Sequence, residues 1–159
     1  MIFDSILVVC VGNICRSPLG ERLLAKKLAD RDLDIRVSSA GIAAVVGHGA
    51  DRDATSVAAA RGVSLDGHVA RQFTRDIGLE HALILVMEAG HKQSIVKSAP
   101  DLSGRIMLFD QWTAASGIAD PYRRSIGFHE EVHSLIDRAA TAWVDKLQKS
   151  SQGNNKTTG

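Results

Sequence analysis

Short apolar runs alternate with longer amphipathic stretches along most of the chain. The apolar runs end at loops and predict strands buried in a parallel sheet, at residues 6–9, 35–38, 82–87 and 105–109. The amphipathic stretches predict helices after Pro18 and at residues 54–60, 91–97 and 125–149. This alternation predicts an α/β fold: a single-domain three-layer sandwich with a four-stranded parallel sheet and helices on both faces.

The last predicted helix has a continuous apolar stripe that runs from Val132 to Leu147. His129 and His133 are spaced i,i+4 near its start. Since no cysteine or third ligand lies nearby in the sequence, we interpret them as a solvated face and not as a metal site. Residues 150–159 are polar and rich in Gly, Asn, Thr and Ser, which predicts a disordered C-terminal tail after a domain spanning residues 1–149.

Composition narrows the possible functions. The 159 residues suit one domain, and 45% apolar but only 4% aromatic residues predict an aliphatic core. The 19 basic and 18 acidic residues nearly balance, which disfavours general nucleic-acid or membrane-surface binding. No apolar run approaches the roughly 20 residues of a membrane span, and Met1–Ser5 does not begin a secretory signal. Two cysteines five positions apart make no disulfide framework, so we expect a cytoplasmic protein.

The segment Cys10–Pro18 lies between the first strand and the first helix and reads Cys-Val-Gly-Asn-Ile-Cys-Arg-Ser-Pro. Ligands of open α/β sheets bind at the carboxyl ends of strands, and a helix N-terminus there attracts anions. Gly12 and Asn13 accept unusual backbone angles, so the loop can curl and direct its N–H groups at one centre. The predicted phosphate-binding residues are Val11, Gly12, Asn13, Ile14, Cys15, Arg16 and Ser17.

Cys10 has the position of a nucleophile, because N–H groups that attract phosphate also stabilise a thiolate. The planar fork of Arg16 would hold two phosphate oxygens, and Ser17 would donate a hydrogen bond to the Cys10 sulfur. Cysteine is often only a small buried apolar residue, and Cys-x5-Arg alone is a weak signal. The preceding strand and the following Ser-Pro and helix make it strong. A Walker-type nucleotide loop fits poorly, since the Gly-Lys-Ser/Thr ending is absent.

These motifs resemble those of the low-molecular-weight protein tyrosine phosphatases. That family carries Cys-x5-Arg-Ser near its N-terminus and a distant Asp-Pro followed by an aromatic residue, here Asp120-Pro121-Tyr122. The resemblance covers about residues 5–148. It is closest to bacterial members that accompany tyrosine autokinases of exopolysaccharide or capsule export, particularly along residues 107–125.

The resemblance implies roles for residues outside the loop. Asp120 would be the general acid that protonates the leaving phenolate, which is worth typically 10²–10⁴-fold, although Asp-Pro alone is often only a turn. Asn13, Ser17, Ser39 and His68 would form the hydrogen-bond network that keeps the loop in shape.

The predicted substrate pocket departs from the pattern of many relatives. They place an aromatic residue after the Ser-Ala-Gly at residues 39–41, where this chain has only aliphatic side chains. The predicted pocket is therefore formed by Ile14, Val45, Val46 and Tyr122. Arg123 and Arg124 would attract acidic residues around a phosphotyrosine, or are simply solvated.

The implied activity is hydrolysis of phosphotyrosine through a phosphocysteine, without metal or cofactor. The expected partner is a phosphotyrosine protein, a tyrosine autokinase by resemblance, and phosphate-like oxyanions are expected to inhibit. Two alternatives stay open: a protein-arginine phosphatase, which has threonine where this chain has Ile14, and a non-catalytic phosphate-binding module. Thioredoxin-coupled arsenate reduction is disfavoured, because it needs two further cysteines. Cys15 is a redox candidate that would form a disulfide with oxidised Cys10.

Overall fold

A computed structural model describes residues 3–155 and contains one parallel sheet. Its strands are β1 (Ser5–Cys10), β2 (Arg36–Gly41), β3 (Leu83–Val86) and β4 (Ile106–Leu108), and their order across the sheet is β2-β1-β3-β4. The helices are α1 (Arg16–Asp30), α2 (Arg52–Ala60), α3 (Arg75–Leu79), α4 (Ala89–Ser98) and α5 (Ile126–Asn155), with a 3₁₀ helix at Pro100–Arg105. The predicted four-stranded parallel sheet is confirmed.

The side chains of β1 alternate between two apolar layers, one on each face of the sheet. Ile6 and Val8 pack into the core formed with α1 and α5. Leu7 and Val9 pack into a second core with α4 and the 3₁₀ helix. All four are fully buried, as expected for a central strand covered on both faces. The predicted three-layer sandwich is therefore also confirmed.

Two short elements escaped prediction. Helix α3 has only five residues, and the Thr74 side chain caps it by accepting a hydrogen bond from the Ile77 N–H. The 3₁₀ helix has six residues and begins at Pro100. Neither is long enough to show an apolar period, so only cap residues and proline could have indicated them.

Two predictions about the C-terminal region need correction. His129 and His133 are 3% and 5% exposed, so they do not form a solvated face; α5 directs both toward α1 and α2. Helix α5 also continues to Asn155, beyond the predicted domain end at Lys149. Adding a residue to an existing helix is much easier than starting one, so polar residues at 150–155 can prolong it. Residues 156–159 of the predicted tail lie outside the described residues.

The fold brings the carboxyl end of β1 next to three other segments. These are the end of β2, the residues that follow β3, and the loop that leads into α5. In residues 3–155 no helix combines the length and the apolar character needed to cross a membrane.

Candidate active site

The segment between β1 and α1 is a loop whose carbonyl groups accept hydrogen bonds from residues outside the loop. No N–H group from Val11 to Cys15 donates to another atom of residues 3–155. With the carbonyls turned outward, these N–H groups face the concave side and form an anion cradle at the start of α1. The pairs that hold the carbonyls are Val11 O with Ala43 N (3.0 Å), Gly12 O with Val45 N (3.1 Å), Asn13 O with His68 Nε2 (2.6 Å) and Ile14 O with Asp51 N (2.8 Å).

Asn13 is the residue that turns the loop. It has a φ of +57°, in the left-handed region that Asn tolerates better than most side chains. Its side chain is fully buried; Nδ2 donates to Ser17 Oγ at 2.7 Å and to Ser39 Oγ at 3.0 Å. Its Oδ1 accepts from the N–H of Arg71 at 3.0 Å. The positive φ thus lies at Asn13 and not at Gly12, where the sequence also predicts unusual angles.

The end of β2 leaves no room for a side chain behind this loop. A Cβ added to Gly41 would lie 2.4 Å from the carbonyl oxygen of Val11 and 3.0 Å from the nitrogen of Asn13. Both contacts are with backbone atoms, which cannot move aside in a closely packed interior. Glycine at position 41 is therefore required for β2 and the loop to approach so closely.

The Cys10 sulfur lies at the base of the cradle and is bonded to Ser17. Cys10 is 3% exposed, and its Sγ is 2.9 Å from Ser17 Oγ. Because Ser17 Oγ already accepts a hydrogen bond from Asn13, its own hydrogen is free to point at the sulfur. The Ser17 hydroxyl is thus placed to donate a hydrogen bond to the Cys10 sulfur.

Arg16 is buried and is fixed by one edge of its guanidinium. Nη1 donates to Glu88 Oε2 and to the carbonyl of Ile118, both at 2.7 Å. Its Nε is buried without a partner in the described part of the chain, and Nη2 is 3.9 Å from Asp120 Oδ2. The Nε and Nη2 edge is thus available to bind two oxygens of a phosphate.

Asp120 lies on the loop before α5, opposite the cradle. The buried Asp110 ties this loop down, since its Oδ2 accepts from the N–H groups of Ser116 and Gly117. The Ile118 N–H donates to the carbonyl of Met87 at 2.8 Å, which attaches the loop to the end of β3. Asp120 itself accepts from the Tyr122 N–H at 3.0 Å and keeps a half-exposed carboxylate. A carboxyl group held there can exchange protons with a bound ligand.

These groups enclose one pocket of about 200 Å³. Cys10 and Arg16 line it together with Asp120, and its apolar wall includes Ile14, Val45 and Tyr122. Val46 is 65% exposed and does not line the pocket, so this predicted wall residue needs correction. Its neighbour Val45 takes the inward position on the same loop. The pocket combines a cradle of backbone N–H groups, a cysteine sulfur and a carboxyl group under an apolar rim.

Comparison with known families decides which chemistry this pocket belongs to. The family model for low molecular weight phosphotyrosine protein phosphatase matches residues 5–153 of this chain. The chain belongs to the low-molecular-weight protein tyrosine phosphatase family.

Individual members of this phosphatase family are similar over nearly their whole length. The Escherichia coli K12 phosphatase Etp is 46% identical over 147 residues, which cover 92% of this chain and 97% of Etp. The structure of Wzb from Escherichia coli K30 with sulphate is 43% identical, covers 92% and 99% of the two chains and superposes with a TM-score of 0.88. Wzb from Vibrio vulnificus with benzylphosphonate is 45% identical, covers 91% and 99%, and gives a TM-score of 0.87.

Glu88 is a site residue of this phosphatase to which the sequence assigned no role. Its hydrogen bond with Arg16 holds the pKa of Glu88 below the usual range, so this carboxylate stays charged beside the guanidinium. His91 Nε2 lies 3.2 Å from the same Glu88 oxygen, and burial lowers the pKa of His91. The available signal was position, because Glu88 follows β3 at the edge of the sheet where ligands bind.

Cys15 differs from Cys10 in its surroundings. It is 4% exposed, and burial raises its pKa, an effect to which the charges of Asp51, Asp120 and Cys10 add. Cys15 is therefore a protonated thiol in the closed loop of this phosphatase. Cys10, in contrast, lines the pocket, and its sulfur contacts Ser17 Oγ.

Proposed function

We propose that this phosphatase removes phosphate from phosphotyrosine in proteins through a phosphocysteine on Cys10. The observation that carries the proposal is the convergence of three groups on one pocket. Cys10 lies at its base, the unpartnered edge of Arg16 and the free loop N–H groups surround the same point, and Asp120 faces them. Family membership and the named phosphotyrosine phosphatases among its relatives support it.

In the first step the Cys10 thiolate attacks phosphorus in line with the bond to the tyrosine oxygen. That bond breaks as the sulfur–phosphorus bond forms, and Asp120 gives its proton to the departing phenolate. Arg16 and the loop N–H groups neutralise the three equatorial oxygens as their charge redistributes. The step releases tyrosine and leaves a phosphorylated Cys10.

In the second step water attacks the phosphorus of phosphocysteine. Asp120, now a carboxylate, takes a proton from the water, and the bond between sulfur and phosphorus breaks. The sulfur leaves as a thiolate that accepts the hydrogen bond from Ser17. Inorganic phosphate is released, and both Cys10 and Asp120 return to their starting states.

The pocket favours a flat aryl side chain over a short alkyl one. Phosphorus must reach the sulfur of a 3% exposed Cys10, past an apolar rim that includes Ile14, Val45 and Tyr122. A phosphotyrosine ring fills that distance with apolar surface. A phosphoserine ester is shorter, so its phosphorus would remain above the cradle. The expected substrate class is therefore phosphotyrosine.

An activity panel tests this preference. Peptides carrying phosphotyrosine, phosphoserine or phosphoarginine in the same sequence should differ in kcat/KM, with phosphotyrosine ahead of phosphoserine by at least about 100-fold. A misplacement of about 1 Å already costs a factor of that order. Comparable kcat/KM on phosphoserine would contradict the proposal.

Neighbouring valines provide a matched control for the panel. Val45→Ala removes part of the pocket wall and should lower kcat/KM on phosphotyrosine by roughly tenfold, the loss typical of missing contact in an apolar pocket. Val46→Ala makes the same change at an exposed position and should have little effect. Equal losses would show that Val45 does not contact the ring.

The arginine-phosphatase alternative is tested in the same panel. The solved arginine phosphatase YwlE is 24% identical with a TM-score of 0.86, a likeness that shows the fold alone. Ile14 in this chain adds apolar bulk where arginine phosphatases are expected to carry threonine. Ile14→Thr should therefore narrow the preference for phosphotyrosine over phosphoarginine, whereas a wild-type preference for phosphoarginine would replace the proposal.

The resemblance to bacterial phosphatases of exopolysaccharide export further leads us to propose a tyrosine autokinase as the phosphorylated partner. We propose that the two proteins meet in the cytoplasm. A reactive Cys10 thiolate beside a second thiol is suited to a reducing compartment.

Phosphate-like oxyanions should inhibit by occupying the cradle, and the related Wzb was solved with sulphate. The Arg123 guanidinium lies 5.2 Å from the ring centroid of Tyr122, a pocket residue, and so presents a cationic group to acidic substrate residues, whereas Arg124 lies over Phe128 at 4.7 Å.

We also propose that Cys15 protects Cys10 from irreversible oxidation. A thiolate accessible to substrate is also accessible to peroxide, which converts it to a sulfenic acid. Cys15 would attack that sulfur, forming a disulfide and releasing water. Because burial raises the pKa of Cys15, the loop has to open before Cys15 can ionise and reach Cys10.

Inactivation by peroxide, followed by a thiol reductant, tests this protection. Wild type should recover most of its activity, whereas Cys15→Ser should recover little, because its Cys10 proceeds to sulfinic acid. Mass spectrometry should show a loss of two hydrogens in oxidised wild type and added oxygen in the variant. Equal recovery in both proteins would eliminate a protective disulfide.

A further inference from the structure

A group of metal-binding side chains lies at the junction of α2 and α5, outside the catalytic pocket. Asp51 is the N-cap of α2, Asp53 lies in the first turn of that helix, and His129 lies near the start of α5. One donor atom from each lies within 4.8 Å of the other two. Because Asp51 and Asp53 are far from His129 in sequence, only the folded chain brings the three together.

His129 lacks the partner that a buried imidazole needs. Its side chain is 2% exposed, and Nε2 makes no hydrogen bond within residues 3–155. Asp51 Oδ2 is the nearby carboxylate oxygen, but at 4.0 Å it is too distant for a hydrogen bond. A buried polar nitrogen without a partner is costly, so Nε2 beside the Asp51 carboxylate is suited to bind a ligand that the three side chains share.

The carboxylates are placed to accept that ligand. Asp51 Oδ2 accepts from the N–H groups of Asp53 and Ala54 at 3.1 Å, which fixes the orientation of the Asp51 carboxylate. A carboxylate has about four lone-pair sites, so further acceptor capacity remains. Among residues 3–155, the Asp53 carboxylate makes only a distant ion pair, at 3.8 Å, with the largely exposed Arg52. The two carboxylates contribute oxygen donors and negative charge and the imidazole contributes a nitrogen donor, a combination that suits a divalent cation.

We propose that Asp51, Asp53 and His129 bind a divalent transition-metal cation of the Zn²⁺ type. Imidazole nitrogen and carboxylate oxygen bind Zn²⁺ at about 2.0–2.2 Å, in tetrahedral sites that a water molecule can complete. Mg²⁺ prefers oxygen ligands alone and is therefore disfavoured. Small rotations of the Asp53 and His129 side chains would bring the three donor atoms from within 4.8 Å to the separation that such coordination needs, with Asp51 in place.

The location connects this site to the phosphate-binding loop. The Asp51 N–H donates to the carbonyl of Ile14 at 2.8 Å, so the residue that would bind the cation also holds the loop. Bound metal would join α2 to α5 and brace that anchor. The cation takes no part in the chemistry at Cys10, and the site operates whether or not the proposed activity is correct.

Calorimetric titration with ZnCl₂ tests the site, and Cys10→Ser is the background because a reactive thiolate would itself bind zinc. We expect one site per chain. Asp53→Asn and His129→Gln should each weaken it at least about tenfold, since removing even a partner of a metal ligand costs roughly 10–100-fold. His133→Gln is the matched control: His133 is also buried on α5 and has an unpartnered nitrogen among the described residues, and this variant should bind as the background does.

Thermal unfolding provides a second measurement. Zn²⁺ should raise the Tm of the Cys10→Ser protein and leave that of the Asp53→Asn double variant unchanged. Asp53 does not cap α2 with its side chain, so this variant decides the question if His129→Gln fails to fold. Absence of binding at millimolar Zn²⁺, equal affinity in the Asp53 and His133 variants, or equally tight binding of Mg²⁺ would overturn the proposal.

Discussion

Replacing Cys10 by Ser should abolish turnover, lowering kcat for para-nitrophenyl phosphate by at least about four orders of magnitude. A serine hydroxyl is not ionised at neutral pH, and the described residues provide no general base beside position 10. The oxyanion cradle depends on backbone N–H groups and Arg16, which the substitution leaves in place. The variant should therefore still bind inorganic phosphate, as measured by calorimetry.

The matched control is Cys15→Ser, the same substitution five residues along the same loop. It should retain most of the activity, because Cys15 is protonated and contributes only its backbone N–H to the cradle. Near-normal turnover by Cys10→Ser would eliminate the proposed nucleophile. Loss of turnover together with loss of phosphate binding would instead show that the loop had collapsed.

Asp120→Asn should slow phosphate esters in proportion to how poor their leaving groups are. For phenyl phosphate kcat/KM should fall by about 10²–10⁴-fold, the usual contribution of a positioned general acid. For 2,4-dinitrophenyl phosphate the loss should be small, since that phenolate leaves without a proton. The comparison uses kcat/KM because it reports the first step alone, whereas Asp120 also takes part in the second.

Glu88→Gln is the control that distinguishes loss of the proton donor from loss of the correct position of Arg16. This change weakens the ion pair that fixes the guanidinium and leaves Asp120 in place. It should lower kcat/KM by a similar factor for every leaving group. A flat response of Asp120→Asn across the series, matching that of Glu88→Gln, would rule out the general-acid role.

Much of the fold was predictable because its strands are apolar on both faces. Ile6 to Val9 are fully buried by helices on each side, so the sequence contains an uninterrupted apolar run that indicates a central parallel strand. The long amphipathic helices are equally clear. Helix α3 and the 3₁₀ helix were missed, because five or six residues are too few to establish a period.

The candidate site was predictable where its residues are adjacent in sequence. The loop Cys10–Ser17 is one continuous motif, and its position between a strand and a helix indicates an anion site. The roles of Glu88 and of the Ile118 carbonyl, which hold Arg16 from two other segments, depend on tertiary contacts. The same limit explains the error over His129, whose neighbours Asp51 and Asp53 come from another helix.

The most direct test of the central claim is the capture of phosphocysteine on Cys10. Asp120→Ala mixed with 2,4-dinitrophenyl phosphate, whose phenolate leaves without a proton, should release one equivalent of dinitrophenolate in a burst and then turn over slowly, because the second step lacks its base. Rapid quenching and mass spectrometry should find one phosphate per chain, on the peptide that contains Cys10. Release without a burst, with no phosphate on Cys10 at any quench time, would contradict the account.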